Sequence, residues 1–221
     1  MKKSIFSALV FIFCTIPAFA QLGIKGGFQL ATVKEEDENI NQNDLEKHAI
    51  VAPVVGLTLD LAVTDHFSIQ PEFLYAQSGG RNTYFVLGTE TESTYRINYL
   101  ELPVLAKIKI GNTVEEGGVG FHIAAGPWIG LAMNGKNTII TTVSGNEFKN
   151  VEEFTFDDED NAKRTNFGII GAAGINFGRL SFDLRYNYGL NNLLDDDADN
   201  TNDNKPVLQT RGLALTLGFV F

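Results

Sequence analysis

Eight segments of strict alternation between apolar and polar residues constrain this chain more than any other feature. The clearest is 180–190, where Leu, Phe and Tyr occupy the even positions and Ser, Asp, Arg and Asn most of the odd ones. A period of two is that of a β-strand with two different faces. The sequence therefore predicts an all-β fold. The eight segments are 24–30, 51–61, 67–77, 94–110, 120–132, 165–177, 180–190 and 207–221.

The connections between these segments alternate between short and long. Strands of about nine to eleven residues, even in number, with short turns at one end and long loops at the other, are typical of outer-membrane barrels. We therefore predict an eight-stranded antiparallel up-and-down transmembrane β-barrel over residues 21–221. The short connections are 63–66, about 111–118 and 178–179, and the long polar ones are about 34–49, 78–93, 133–164 and 191–206.

Residues 1–20 have the features of a targeting segment. Lys2 and Lys3 precede an uncharged apolar run over residues 5–16, and an Ala-Phe-Ala motif at 18–20 supplies a cleavage site. This order predicts a cleaved signal peptide, and hence export, whereas a buried N-terminal helix is the alternative.

Charge and cysteine usage exclude some classes of function. The chain has 27 acidic and 17 basic residues, a formal net charge of −10, and most of the acids lie in the long connections. This acidity argues against a nucleic-acid partner. The single cysteine, Cys14, lies inside the proposed signal peptide, so the mature chain offers no disulfide framework and no thiolate chemistry.

The character of the two strand faces indicates which one meets lipid. One face is rich in Leu, Ile, Val, Phe and Tyr, and the other is small, polar or charged. Charges enclosed in a barrel must be paired, and five basic and four acidic residues nearly balance here. We expect them to fill the lumen as a plug, with the apolar face in lipid. The predicted lumen charges are Lys25, Asp60, Glu72, Arg96, Glu101, Lys107, Lys109, Asp183 and Arg185.

Two local features interrupt the regular pattern. In 94–110 the apolar positions change from odd to even, which predicts a β-bulge near Tyr99 and Leu100. Prolines also lie inside four predicted strands, where each removes a ladder hydrogen bond. The alternation alone does not account for all of these prolines, which are Pro53, Pro71, Pro103 and Pro127.

Aromatic residues are sorted by strand end, which predicts a girdle at each membrane interface. Tyrosines fall at the long-loop ends and phenylalanines at the short-turn ends. They are Tyr75, Tyr95, Tyr99, Tyr186 and Tyr188 at the first, and Phe67, Phe121, Phe177 and Phe221 at the second.

Several motifs follow one another along the mature chain. They are Gly23-Ile24-Lys25-Gly26-Gly27, Gln70-Pro71-Glu72-Phe73-Leu74-Tyr75, Tyr99-Leu100-Glu101-Leu102-Pro103-Val104-Leu105-Ala106-Lys107, Ala125-Gly126-Pro127 and Arg185-Tyr186-Asn187-Tyr188-Gly189-Leu190. In this order the chain resembles the PorT-like outer-membrane β-barrel family, a porin family with an outer membrane protein β-barrel domain. The resemblance implies an outer-membrane barrel without a single activity, since members are loosely called porins and one relative is tied to a secretion system. The terminal Phe221 resembles the recognition signal for barrel-insertion machinery.

Motifs for catalysis are missing from the sequence. The chain has three histidines, His48, His66 and His122, but no His-x-x-x-His, CxxC or nucleophile elbow. We therefore expect neither an enzyme nor a cofactor. A lipid-modifying enzyme of the outer membrane is a distant alternative.

One acidic stretch carries ligands that calcium prefers, at Asp195, Asp197 and Asp199. It departs from an EF-hand loop, because the sixth position lacks Gly and Pro206 occupies the twelfth. Solvated acidic loops are the simpler interpretation. As a hypothesis, divalent cations bridge these acids to lipopolysaccharide phosphates, in which case calcium protects the loops from protease.

The sequence thus favours a structural or interaction barrel of the cell outer membrane, with a charge-filled lumen and long acidic extracellular loops. A narrow porin-like channel for ions or small solutes is the alternative, supported by the Gly-rich inner faces of 120–132 and 165–177. The expected partners are outer-membrane lipid and lipopolysaccharide, the barrel-insertion machinery, and a protein at the extracellular loops.

Overall fold

Every regular element in the described part of the chain is a β-strand. The computed structural model describes residues 20–36, 45–86, 89–111, 118–143, 145–155, 164–193 and 207–221, so the proposed signal peptide lies almost wholly outside them. The strands are β1 (Ala20–Glu36), β2 (Leu45–His48), β3 (Ile50–Ala62), β4 (Phe67–Val86), β5 (Thr89–Gly111), β6 (Val119–Val143), β7 (Asn146–Thr155), β8 (Thr165–Phe177), β9 (Leu180–Gly189) and β10 (Val207–Val220).

Eight of these strands close into a ring. With β2 and β7 set aside, each strand pairs antiparallel with its neighbour in the chain, and β1 pairs with β10 to complete the circle. The closing register sets Gly23 opposite Val220. A closed ring leaves no strand edge with unpaired backbone groups. The predicted eight-stranded antiparallel up-and-down barrel is therefore confirmed.

The wall extends far beyond the barrel at the end opposite the short turns. Strands β4, β5 and β6 have 20, 23 and 25 residues, whereas a tilted crossing needs about 9–11. Their outer parts form an extension sheet in the order β2-β4-β5-β6-β7. The prediction of polar loops at 78–93 and 133–164 was thus largely wrong. β-Branched residues such as those at 138–142 favour strands even where the sequence is polar.

The short turns lie together at the other end of the barrel. In the turn over 63–66, the amide of Val63 donates to the carbonyl of Phe67 at 2.9 Å. The turn between β8 and β9 needs only two residues because Gly178 adopts a φ of 54°, which glycine reaches without steric cost. These two predicted turns are confirmed, and most of the third, at 111–118, lies outside the described residues.

Side chains alternate between the lumen and the outer wall as the sequence predicts. Leu215, near the middle of β10, is 64% exposed on the outer wall, and Lys25 in the lumen is buried. Among the described residues there is no helix of the length and apolarity needed to cross a membrane.

The predicted bulge occurs at the expected level but on the neighbouring strand. The register between β5 and β6 shifts between Asn98 and Tyr99, and the extra residue is Met133 of β6. Strand β5 therefore keeps one phase, which turns Tyr99 into the lumen, where it is 1% exposed. The placement of Tyr99 in a lipid-facing girdle was wrong. Because β5 alternates without interruption, the side chain of Arg96 points outward.

The four prolines lie where the ladder is interrupted on one side. The β3–β4 pairing stops short of Pro53 and lacks the pair at Pro71. The β4–β5 and β5–β6 ladders each lack two pairs, at Pro103 and Pro127 respectively. Each proline keeps a paired residue on its other neighbouring strand. The missing N–H groups thus coincide with missing pairs, which accounts for prolines within these strands.

Contact between lipid and the apolar belt on the outer wall can be tested by placing a charge in the belt. Leu215→Arg places a charge at mid-depth on the outer wall, and we expect it to lower the free energy of unfolding by about 2–4 kcal/mol in vesicles. The matched Val143→Arg variant, on the extension sheet, is expected to change it by less than about 1 kcal/mol. Denaturant titration of vesicle-folded protein gives both values. Equal effects contradict a lipid-facing belt.

Candidate functional site

The best-defined polar site in the described residues is a network of ion pairs inside the barrel. At its centre the carboxylate of Glu72, from β4, is fully buried between two cations. Lys25 Nζ of β1 lies 2.9 Å from Oε1, and Arg185 Nη2 of β9 lies 2.7 Å from Oε2. Each carboxylate oxygen therefore has its own charged donor, which offsets the cost of burying the charge.

Asp183 on β9 continues the network toward the short-turn end. Its Oδ2 lies 2.8 Å from Lys25 Nζ, and its Oδ1 lies 2.8 Å from His122 Nε2. The other ring nitrogen of His122 lies 3.1 Å from the Asn176 amide nitrogen. Both ring nitrogens of His122 therefore lie against polar side chains of the lumen, which makes this histidine a member of the network.

A third carboxylate lies nearer the turns. Two lysines of β5 pair with Asp60 on β3. Lys109 Nζ lies 3.0 Å from Asp60 Oδ1, and Lys107 Nζ lies 3.4 Å from Asp60 Oδ2. Gln70 links this cluster to the centre, because it donates to Glu72 at 2.6 Å and accepts from Lys107 at 3.0 Å. The ion pairs and this amide form one continuous set of contacts, called here the lumen network.

The structure brings seven of the nine predicted lumen charges into this network. These are Lys25, Asp60, Glu72, Lys107, Lys109, Asp183 and Arg185. Arg96 does not join it, because β5 keeps one phase through the bulge and turns this side chain outward. Glu101 does face the lumen and is only 4% exposed, but it forms no ion pair with any described residue.

An apolar layer also crosses the lumen, which the sequence reasoning missed. Leu105, Trp128 and Ile170 pack together, each at most 5% exposed. Nearer the mouth, Ile50 packs with Ala31 and Ala52. The sequence analysis described the lumen face as small, polar or charged and left these residues out, although their position on the lumen-facing phase of each strand was the signal that places them inside.

Little space remains within the lumen. A cavity of about 50 Å³ opens beside Lys107 and Lys109 at the turn end, and another of about 10 Å³ lies beside Glu101 and Trp128. Such volumes hold a few water molecules at most. The described residues contain no cluster of three or more His, Cys, Asp or Glu able to hold a metal ion. The calcium candidates Asp195, Asp197 and Asp199 lie outside the described residues.

The chain is similar to known outer-membrane barrels. The family model described as "Outer membrane protein beta-barrel domain" matches residues 17–195. None of the curated proteins matches this chain.

Three solved structures are similar to the chain, each at a sequence identity of 11% or 12%. Ail of Yersinia pestis, solved with the heparin analogue sucrose octasulfate, is 12% identical, with 92% of this chain and 99% of Ail covered and a TM-score of 0.40. OprG of Pseudomonas aeruginosa is 12% identical, with 92% and 96% covered and a TM-score of 0.43. The outer membrane enzyme PagL is 11% identical, with 87% and 98% covered and a TM-score of 0.37.

The contrast between two buried glutamates tests the energetic role of the lumen network. Glu72→Gln leaves Lys25 and Arg185 without their shared carboxylate, and we expect a loss of about 3–5 kcal/mol in the free energy of unfolding. The matched Glu101→Gln variant has no ion pair to lose and is expected to change stability by less than about 1 kcal/mol. Denaturant titration of the refolded variants measures both. Similar losses for the two contradict the assignment of Glu72 as the centre of the network.

Proposed function

The chain belongs to the outer membrane protein beta-barrel domain family, and on this premise we propose that it acts as a structural and interaction barrel. It is an outer-membrane protein. Within that class the PorT-like assignment remains our proposal, supported by the ordered motifs of the sequence. The signal peptide over residues 1–20 is likewise proposed, as the route by which the chain is exported.

The observation that carries this proposal is the filled lumen. Carboxylates on β3, β4 and β9 are paired with cations on β1, β5 and β9, and an apolar layer lies above them. A solute crossing this barrel would have to separate buried ion pairs, which is strongly unfavourable. The lumen therefore supports the barrel, and contacts with partners are made elsewhere.

The surface proposed for contacts is the extension sheet and the loops that join it. We propose that this end faces the cell exterior, as long connections do in outer-membrane barrels. Strand β7 carries exposed apolar and charged residues side by side, including Phe148, Val151 and Glu152. Such a surface suits a protein partner.

The opposite end suits assembly of the barrel. Phe221 is exposed, and its ring meets that of Phe219 edge-on at 5.5 Å. We propose that this terminal pair is the signal read by the barrel-insertion machinery.

A narrow channel is the second candidate. The cavity of about 50 Å³ is lined by Asp60, Lys107 and Lys109, and small residues such as Gly120 and Gly218 leave it open. Rearranged ion pairs would extend this space toward the centre. An enzyme is not proposed, since the only buried histidine in the described residues, His122, is fully engaged.

Single-channel recording distinguishes the two candidates. The refolded mature chain in a planar bilayer is expected to give no steady ohmic steps, because the lumen network and apolar layer leave no continuous path. Heat-modifiable migration on a gel shows that the same preparation is folded. Steady steps whose ion selectivity changes in the Lys109→Ala variant contradict the filled barrel and favour the channel.

A further inference from the structure

A row of polar side chains crosses three strands on the outer wall. Tyr75 Oη donates to Asn98 Oδ1 at 2.8 Å, and Asn98 Nδ2 donates to Asn134 Oδ1 at 2.6 Å. Gln77 Nε2 donates to Asn98 Oδ1 at 2.9 Å, and Arg96 Nη1 donates to Gln77 Oε1 at 2.8 Å. These five residues, from β4, β5 and β6, form one hydrogen-bonded group, called here the outer polar strip.

The strip lies directly beyond the lipid-facing belt. On the same three strands, outward side chains nearer the turns include Phe73, Leu102 and Leu131, all exposed and apolar. Tyr75 lies at the boundary with part of its ring exposed. A tyrosine with an apolar body and a hydrogen-bonding tip is the usual residue at a membrane interface. The strip is therefore continuous with the surface that contacts lipid, at the depth of the headgroups.

Two cations face each other at the strip, beside an open space of about 520 Å³ that Arg96 lines together with Arg81, Glu90 and Glu92. Glu92 is already paired with Arg81 at 3.2 Å. Arg96 and Lys136 are directly opposite in the β5–β6 register and share the outward face. Lys136 has a counterion in Glu153 at 3.3 Å, whereas Arg96 meets only neutral acceptors among the described residues, the second being the Val51 carbonyl at 3.1 Å. Like charges directly opposite on neighbouring strands are destabilising. An anion placed between them would remove this repulsion.

The hydrogen-bonding groups fit a phosphorylated sugar. The contacts of Arg96 use Nη1, which leaves the rest of the planar guanidinium fork to face a phosphate. After the bonds within the strip are counted, the amides of Asn134 and Gln77 can each still donate and accept, and that of Asn98 can still donate, as sugar hydroxyls require. A simple anionic phospholipid would satisfy the charge but not the amides.

We propose that the outer polar strip, together with Lys136, binds the phosphorylated sugar headgroup of a glycolipid in the outer leaflet. The inference rests on the proposed orientation, in which the extension sheet faces the exterior. It gives this barrel a preferred lipid contact on the β4–β6 side of its wall.

The test compares lipid binding by refolded variants in phosphatidylcholine vesicles that contain lipid A. Retained lipid A is quantified by mass spectrometry after purification. Arg96→Ala is expected to weaken retention about tenfold, as for loss of one charge-assisted contact, and Arg96→Lys is expected to recover part of it. Arg179→Ala is the matched control, because it removes one exposed arginine at the opposite end of the barrel and is expected to change nothing.

Further arms separate the sources of the anion. Lipid A without its phosphates is expected to be retained weakly, and alike by wild type and Arg96→Ala. Phosphatidylglycerol and inorganic phosphate offer the charge without the sugar hydroxyls, so they are expected to bind wild type more weakly than lipid A does. Equal binding of phosphatidylglycerol and lipid A by wild type overturns the preference for a sugar headgroup. Equal retention of lipid A by Arg96→Ala and Arg179→Ala overturns the proposal, as does full retention of the dephosphorylated lipid by wild type.

Orientation is measured separately, with Asn150→Cys on β7 and a membrane-impermeant maleimide on intact cells. Labelling is expected. Its absence, with labelling after permeabilisation, overturns the proposed orientation and the strip proposal with it. Labelling together with no effect of Arg96→Ala overturns the strip proposal alone.

Discussion

The need to pair every backbone N–H and C=O within hydrocarbon decides the form of this molecule. A strand cannot satisfy its own backbone, so the pairing must continue until the last strand meets the first. The β1–β10 ladder makes that closure, from Gly23 to Glu36 along β1. The other features follow from it, because a closed ring of eight strands has an interior just wide enough for side chains to fill.

The lumen network is a consequence of that narrow interior. Side chains from opposite walls are within reach of one another, so a charge on one strand meets its partner on a strand that is not its neighbour. Glu72 and Arg185 are 113 residues apart in sequence yet share a 2.7 Å contact. The charges of the lumen network therefore have partners, while apolar residues at the mouth and in the apolar layer exclude water from them.

The fold was largely predictable from the sequence, and the site only in part. Alternation reports two different faces, so the ring and most of the lumen charges could be read from it. Alternation distinguishes lipid-facing from lumen-facing side chains only within the membrane. Beyond the belt the outer wall is polar as well, and for this reason Arg96 and Tyr99 were assigned to the wrong sides. Met133 was undetectable as the bulged residue, because a register shift belongs to a pair of strands. Trp128 and Ile170 show a second limit of the prediction, because residue type alone does not distinguish an apolar side chain in the lumen from one in lipid.

The cross-lumen contacts also bear on the shape of the ring. A thin cylindrical wall of hydrogen-bonded strands is easily flattened into an oval, since bending between neighbouring strands costs little. The contact from β4 to β9 runs across the cylinder, and the contact from β1 to β4 bridges the intervening strand β3. Flattening along either direction compresses or stretches an ion pair. The barrel is thereby kept round against uneven lateral pressure from the bilayer. The described residues of the extension sheet form no contact of this kind across a ring, so its shape depends on the strand ladders alone.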